Sequence, residues 1–226
     1  MRRGTRSIAT VATCVAVSIA GLALAGCGEV NPGAAATVDG ESIPLDEVDA
    51  TARAFCAAEL VIQEQAGDPL FAETTAAYRN EVLGTLINLE LADQLRAELG
   101  VDVPPASYGT DLSQFDDLFA ELSAEDETAL RDYVADFNRL QAITQAIALE
   151  QDDSQTLQDP QTAIDDGYLV ELADTDIELD PRFGELDGGL VVGGSGSLSV
   201  PATSAAEPRR RQQAADEPVP ASQTCA

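Results

Sequence analysis

Residues 36–49, Ala36-Thr37-Val38-Asp39-Gly40-Glu41-Ser42-Ile43-Pro44-Leu45-Asp46-Glu47-Val48-Asp49, decide the fold. Thr37 and Val38 are β-branched and favour a strand. Asp39-Gly40 is a strong tight-turn signal, because glycine accepts positive φ without steric penalty. Ile43 can then return to the core. Pro44 stands where a helix begins, since the N–H it lacks would have no partner in a first turn. Asp46, Glu47 and Asp49 place negative charge at the positive end of that helix.

Reading forward, the first helix spans about Leu45 to Ala66. Leu45, Val48, Ala52, Phe55, Cys56, Glu59 and Ile62 mark one face, apolar except for Glu59. Gly67-Asp68-Pro69 ends it. A second helix runs from Phe71 or Ala72 to Leu99, with Gly100 as its stop. Its apolar residues form two adjoining stripes, Tyr78-Val82-Leu86-Leu89 and Leu83-Ile87-Leu91-Leu95. A stripe that wide requires neighbours on more than one side, which makes this the central helix. Val101 to Pro105 cannot continue a helix. A short helix follows at about Asp111–Leu122, carrying Phe115, Leu118, Phe119 and Leu122. Ser123-Ala124-Glu125-Asp126 resembles a capping box and opens a long helix to about Glu150, where Leu130, Val134, Phe137, Leu140, Thr144 and Ile147 recur at helical spacing. One further short helix is expected between Pro160 and Leu172.

Asp174, Asp176, Glu178 and Asp180 alternate with Thr175, Ile177 and Leu179. Period two reads as a strand with an acidic, solvated face. A calcium site would need an Asp/Asn-Gly loop that is missing here, so no metal is expected. Pro181-Arg182-Phe183-Gly184 closes the folded part. Residues 188–226 are rich in Gly, Ser, Pro, Ala and Val, have too few long apolar and no aromatic side chains to offset ordering entropy, and are expected to be a mostly disordered tail. Arg209-Arg210-Arg211, its one basic cluster, reads as a solvated run.

Reading backward, residues 27–35 form a short tether, and residues 1–26 read as an export signal. Arg2, Arg3 and Arg6 precede an apolar run from Ile8 to Leu24, followed by small residues. Leu24-Ala25-Gly26-Cys27 resembles the bacterial lipobox. That resemblance implies cleavage between Gly26 and Cys27 and a diacylglyceryl thioether on Cys27. The mature chain would then be anchored by lipid to the outer face of the cytoplasmic membrane. Cys14 leaves with the signal, so Cys56 and Cys225 remain in a compartment that permits disulfides. They either pair with each other or stand as a buried Cys56 and a free Cys225.

Composition narrows the chemistry. The chain carries 40 Asp plus Glu against 12 basic residues, a net charge of −28, and all of the basic residues are Arg. Nucleic acid and anionic lipid surfaces are therefore poor partners, and membrane attachment must come from the covalent lipid. With no His, Ser-His-Asp triads, Cys-His dyads, His-ligated zinc and haem are out. With no Lys, Schiff-base and P-loop chemistry are out too. No cofactor and no enzymatic activity are expected. Carboxylate-based glycoside cleavage would find few aromatic residues to build a sugar cleft.

The fold class is mainly α: residues 36–187 form a helical bundle whose two ends are joined by a small two-stranded sheet. Val38-Asp39-Gly40-Glu41-Ser42-Ile43, leading into Asp46-Glu47-Val48-Asp49, resembles the start of the SurA-type chaperone domain. SurA-like, PrsA-like and trigger-factor-like proteins share this module. The resemblance implies that the first strand pairs with one from the far end, for which Thr175–Asp180 is the candidate. Tyr78-Arg79-Asn80-Glu81 fits the family pattern, and Pro181-Arg182-Phe183-Gly184 is similar to the closing segment of SurA-like lipoproteins. No parvulin isomerase domain has room here, and its histidines are absent. The family therefore implies a tethered module that binds unfolded or extended exported polypeptides through exposed apolar surface on the first, second and fourth helices. A structural adaptor with one specific envelope partner is the alternative.

Overall fold

The computed structural model describes residues 32–66, 74–194 and 225. The signal region, Cys27, most of the tether and residues 195–224 lie outside the described residues. Among the described residues, seven α-helices and five short strands follow one another.

The opening strand β1 (Ala34–Val38) is buried along its whole length. It starts inside the expected tether, because Ala34 and Ala35 are small enough to pack beneath the helices and are drawn into the core. Asp39 and Gly40 both take positive φ, 50° and 83°, which suits a tight hairpin. They return the chain as β2 (Glu41–Pro44), antiparallel to β1. The other side of β1 pairs with β3 (Ile177–Leu179), also antiparallel, with Val38 opposite Ile177 and Ala36 opposite Leu179. The sheet order is β2-β1-β3, so the strand pair expected from sequence gains a third member. The acidic alternation does not make one continuous ladder. Asp174 caps the preceding helix in the left-handed region, and Asp180 turns its carboxylate onto Arg182, accepting from its backbone and its guanidinium.

Helix α1 (Leu45–Ala66) begins directly after Pro44. Helix α2 (Thr75–Leu99) is capped by the Thr74 hydroxyl, which accepts from the Ala77 N–H, and stopped by Gly100 at φ 69°. It lies against α1, β1 and three later elements, as its wide apolar stripe requires. Helix α3 (Asp116–Glu121) follows a 3-10 turn at Ser113–Phe115. Helix α4 (Ala124–Glu150) is opened by Ser123, whose hydroxyl accepts from the Asp126 N–H and donates to the Asp126 carboxylate.

Beyond α4 the chain departs from the single helix expected there. Helices α5 (Ser154–Gln158), α6 (Pro160–Asp165) and α7 (Tyr168–Ala173) are three separate short pieces. Asp153 and Asp159 start the first two in the same way, each carboxylate taking the N–H and hydroxyl of a Thr three residues on. Gly167, at φ 93°, breaks α6 from α7.

The principal core joins Val38, Val48, Ile87, Leu91, Ile143, Ile147, Leu169 and Phe183. Phe183 is the closing residue of Pro181-Arg182-Phe183-Gly184 and sits beneath the Arg79 guanidinium, 5.1 Å from ring centroid to Cζ. Arg79 also reaches Asp49 at 2.7 Å, so one arginine ties α1, α2 and the closing segment together.

The folded part does not stop at Asp187. Strands β4 (Glu185–Asp187) and β5 (Leu190–Val192) form a hairpin that packs on α2. Its seat is a stripe of Asn80, Gly84 and Asn88 at four-residue spacing. Asn80 donates to the Gly193 carbonyl at 2.8 Å and Asn88 to the Gly189 carbonyl at 2.7 Å, satisfying backbone groups that a neighbouring strand would otherwise hold. Between them Gly84 lets Val191 approach the helix. The reading of 188–226 as disordered is thus overturned for residues 188–194. Their Leu-Val-Val run and the glycines around it are hairpin and close-packing residues rather than linker.

Gly189 lies where a β-carbon would stand 1.8 Å from the Ile164 carbonyl oxygen. Gly189→Ala is therefore expected to lift the hairpin off α6 and cost about 2 kcal/mol or more, read as a lower denaturation midpoint.

Candidate functional site

Helices α1, α2, α3 and α4 enclose an open cleft of about 410 Å³. Phe55, Ala58 and Ile62 line it from α1, Phe115 from the 3-10 turn, Leu118 and Phe119 from α3, and Leu130 and Val134 from α4. Tyr78 completes it from α2, its ring stacked on Phe55 at 5.2 Å. Four of the chain's ten Phe and Tyr residues thus meet in this one place. Ile62 and Phe115 are each 42% exposed at its mouth. Three of its lining residues, Ala58, Phe119 and Leu130, form a second, smaller core with Ala54.

The wall made by α3 is an addition to the cradle of first, second and fourth helices expected from sequence. Phe119 is held by the Arg131 guanidinium, stacked over its ring at 4.0 Å. Arg131 in turn bonds Glu127 at 2.8 Å and lies 3.8 Å from Asp116. Glu59, the one charged lining residue, is buried and accepts from Gln63 at 2.9 Å and from the Tyr78 hydroxyl at 3.1 Å. What the cleft offers chemically is mainly apolar and aromatic surface, with the hydrogen-bonded Glu59 carboxylate and Tyr78 hydroxyl as its charged and polar lining pair.

Cys56 lies on α1 between two lining residues, Phe55 and Glu59, and is joined to Cys225 by a disulfide with Cα atoms 4.9 Å apart. The bridge closes a loop of 169 residues, and the chain-entropy argument for so long a loop gives a stabilisation of about 5 kcal/mol. Gly26 and Cys27, the expected cleavage and lipidation residues, lie outside the described residues.

A second cleft of about 370 Å³ lies across the bundle, between α1, α2 and α4. It gathers Glu47, Glu125, Asp132 and Asp136. Burial, then the neighbouring Asp136, Asp46 and Asp132 charges, push the Glu47 carboxyl above its ordinary value. Burial also raises Asp136; Arg139 works against the shift and the Asp132 and Asp93 charges add to it. At the edge of this cleft burial pushes the Tyr133 phenol up to about 12, although its contact with the Thr85 hydroxyl at 3.0 Å opposes the shift. Among the described residues no group of His, Cys, Asp or Glu is arranged to hold a metal ion. No helix among them is long and apolar enough to cross a membrane.

Sequence reasoning placed Phe115 and Phe119 on an apolar helix face but gave no sign of which helices they meet. It missed the Glu47–Asp136 cluster, whose members lie far apart in the chain. It also missed the Asn80-Gly84-Asn88 stripe, whose signal was three poor helix formers at regular spacing inside a helix.

A family model described as the SurA-like N-terminal domain matches residues 1–148. The match runs through nearly all of α4 and leaves β3, the closing segment and the hairpin beyond it. No curated protein and no solved structure matches the chain.

The raised carboxyls give the bundle a pH signature. A carboxyl with a folded-state pKa above its unfolded one penalises the fold at neutral pH, and the penalty disappears as pH falls through the folded value. Asp136→Asn should therefore raise the melting temperature by a few degrees at neutral pH. That advantage should shrink as the pH falls and the wild-type carboxyl takes up its proton.

Proposed function

Because the chain belongs to the SurA-like N-terminal domain family, we propose that it is a membrane-tethered extracytoplasmic module that holds unfolded or extended exported polypeptides. The family is of chaperone type and is associated in general with binding polypeptides. The observation that carries the reading is the open aromatic cleft between α1, α3 and α4, with Ile62 and Phe115 presented at its mouth. An exposed apolar surface of this kind, framed by polar residues, is what an extended chain with bulky side chains would dock against. Isomerase activity is not part of this reading, since the chain carries no histidine for a parvulin site. The tether is the lipid expected on Cys27. The disulfide between Cys56 and Cys225 fits an oxidising compartment outside the cytoplasm.

The mature full chain should suppress aggregation of a model exported protein at a few-fold molar excess, measured by light scattering. Phe115→Gln combined with Ile62→Gln should weaken that suppression by roughly tenfold in effective concentration, because two exposed anchors are lost while the core is untouched. Wild-type protein that leaves aggregation unchanged would sink the reading.

The intact mass of protein extracted from membranes checks the rest. It should show loss of residues 1–26, a diacylglyceryl addition that Cys27→Ser abolishes, and no free thiol until reduction.

A further inference from the structure

The charge around the cleft narrows what it can hold. Between Arg96 and Arg131 the chain carries nine carboxylates and no basic residue. This stretch builds the cleft's α3 wall and the start of α4. Asp111, Asp116, Asp117 and Glu121 are all exposed and lie within a few residues of Phe115, Leu118 and Phe119 in sequence. The nearest cations are already committed. Arg131 covers Phe119 and bonds Glu127, and Arg53 bonds Glu125 at 2.6 Å. Asp117 and Glu121 have no ion-pair partner among the described residues, nor has Asp111. Asp111 accepts the Ser113 N–H at 2.9 Å, which holds its carboxyl below the ordinary range and keeps it charged.

We propose that the cleft selects polypeptide segments in which a bulky apolar or aromatic residue is flanked by lysine or arginine, the apolar side chain entering between Phe55, Phe115 and Phe119 and the cation meeting the Asp111–Glu121 lip. This rests on the reading of the cleft as a polypeptide site and adds the class of segment it takes. The same lip disfavours acidic occupants. A second copy of this chain, at a net charge of −28, is among them. The arrangement also separates the two contributions. The apolar lining supplies burial that salt does not weaken, whereas the exposed lip acts through screened charge.

Fluorescence anisotropy with the mature full chain tests this with three labelled peptides of equal length. One carries Phe and Leu anchors flanked by Lys, one the same anchors flanked by Glu, and one the Lys residues with Ser in place of the anchors. At low salt the first should bind roughly tenfold more tightly than the second, and the difference should close in about 1 M salt. Asp117→Asn combined with Glu121→Gln should narrow the low-salt difference without altering the melting curve. Equal binding of the Lys- and Glu-flanked peptides overturns the selectivity and leaves the cleft reading intact. So does a difference that survives high salt or the double variant unchanged. Binding of the anchorless Lys peptide as tight as the first overturns it too, by reducing the site to charge alone. If none of the three binds, the cleft reading itself fails.

Discussion

A strand with no exposed residue must find hydrogen-bond partners on both sides, because an unpaired buried amide costs about 1–3 kcal/mol. β1 is such a strand. On one side it takes β2, which arrives through the Asp39-Gly40 turn and requires almost no chain closure. On the other it takes β3, supplied from the far end of the bundle. Bringing Val38 and Ile177 together closes most of the domain into one loop, an entropic cost that grows only slowly with length. The helices between them are what offset it. α2 runs through the middle with apolar residues on most of its circumference, and α1, α4 and α7 are packed against it.

The elements best legible in the sequence were those whose ends carry a local signal. Gly100 and Ser123 set the limits of helices through caps that involve only their own neighbours, and Pro44, the last residue of β2, stands directly before α1. The pairing of β1 with the Thr175–Asp180 region came from the family resemblance rather than from the residues alone. What escaped was written in less regular code. Asp153-Ser-Gln-Thr156 and Asp159-Pro-Gln-Thr162 are successive cap sequences, yet each opens a helix too short to show an apolar period. The Leu190–Val192 strand sits among glycines that resemble linker until Asn80 and Asn88 are seen to hold the carbonyls of Gly193 and Gly189 on either side of it. For the cleft, its aromatic residues could be found on their helices, but their meeting depends on how α3 folds back across α1. A six-residue helix does not disclose that in its own sequence.

The use of arginine is economical. In a chain this acidic, several of the described arginines act as fasteners between elements. Arg79 joins α1 to the closing segment, Arg139 joins α4 to α2 through Asp93 at 2.6 Å, and Arg131 fixes the cleft wall. The planar guanidinium suits each of these tasks, since it can lie on a ring and bond a carboxylate at once. The surface left over is strongly negative. Net charge of this size sets copies of the chain to repel one another.

The position of β1 has a mechanical meaning as well. Gly33, just before it, bonds the start of α1 through its carbonyl, and the chain leads from there toward its amino end. A body held by that end and tugged by cargo would carry the load along β1. The strand is gripped by β2 and β3 together, so withdrawing it would strain two ladders simultaneously instead of unzipping one. The element that closes the bundle is thus also placed to resist being pulled out of it.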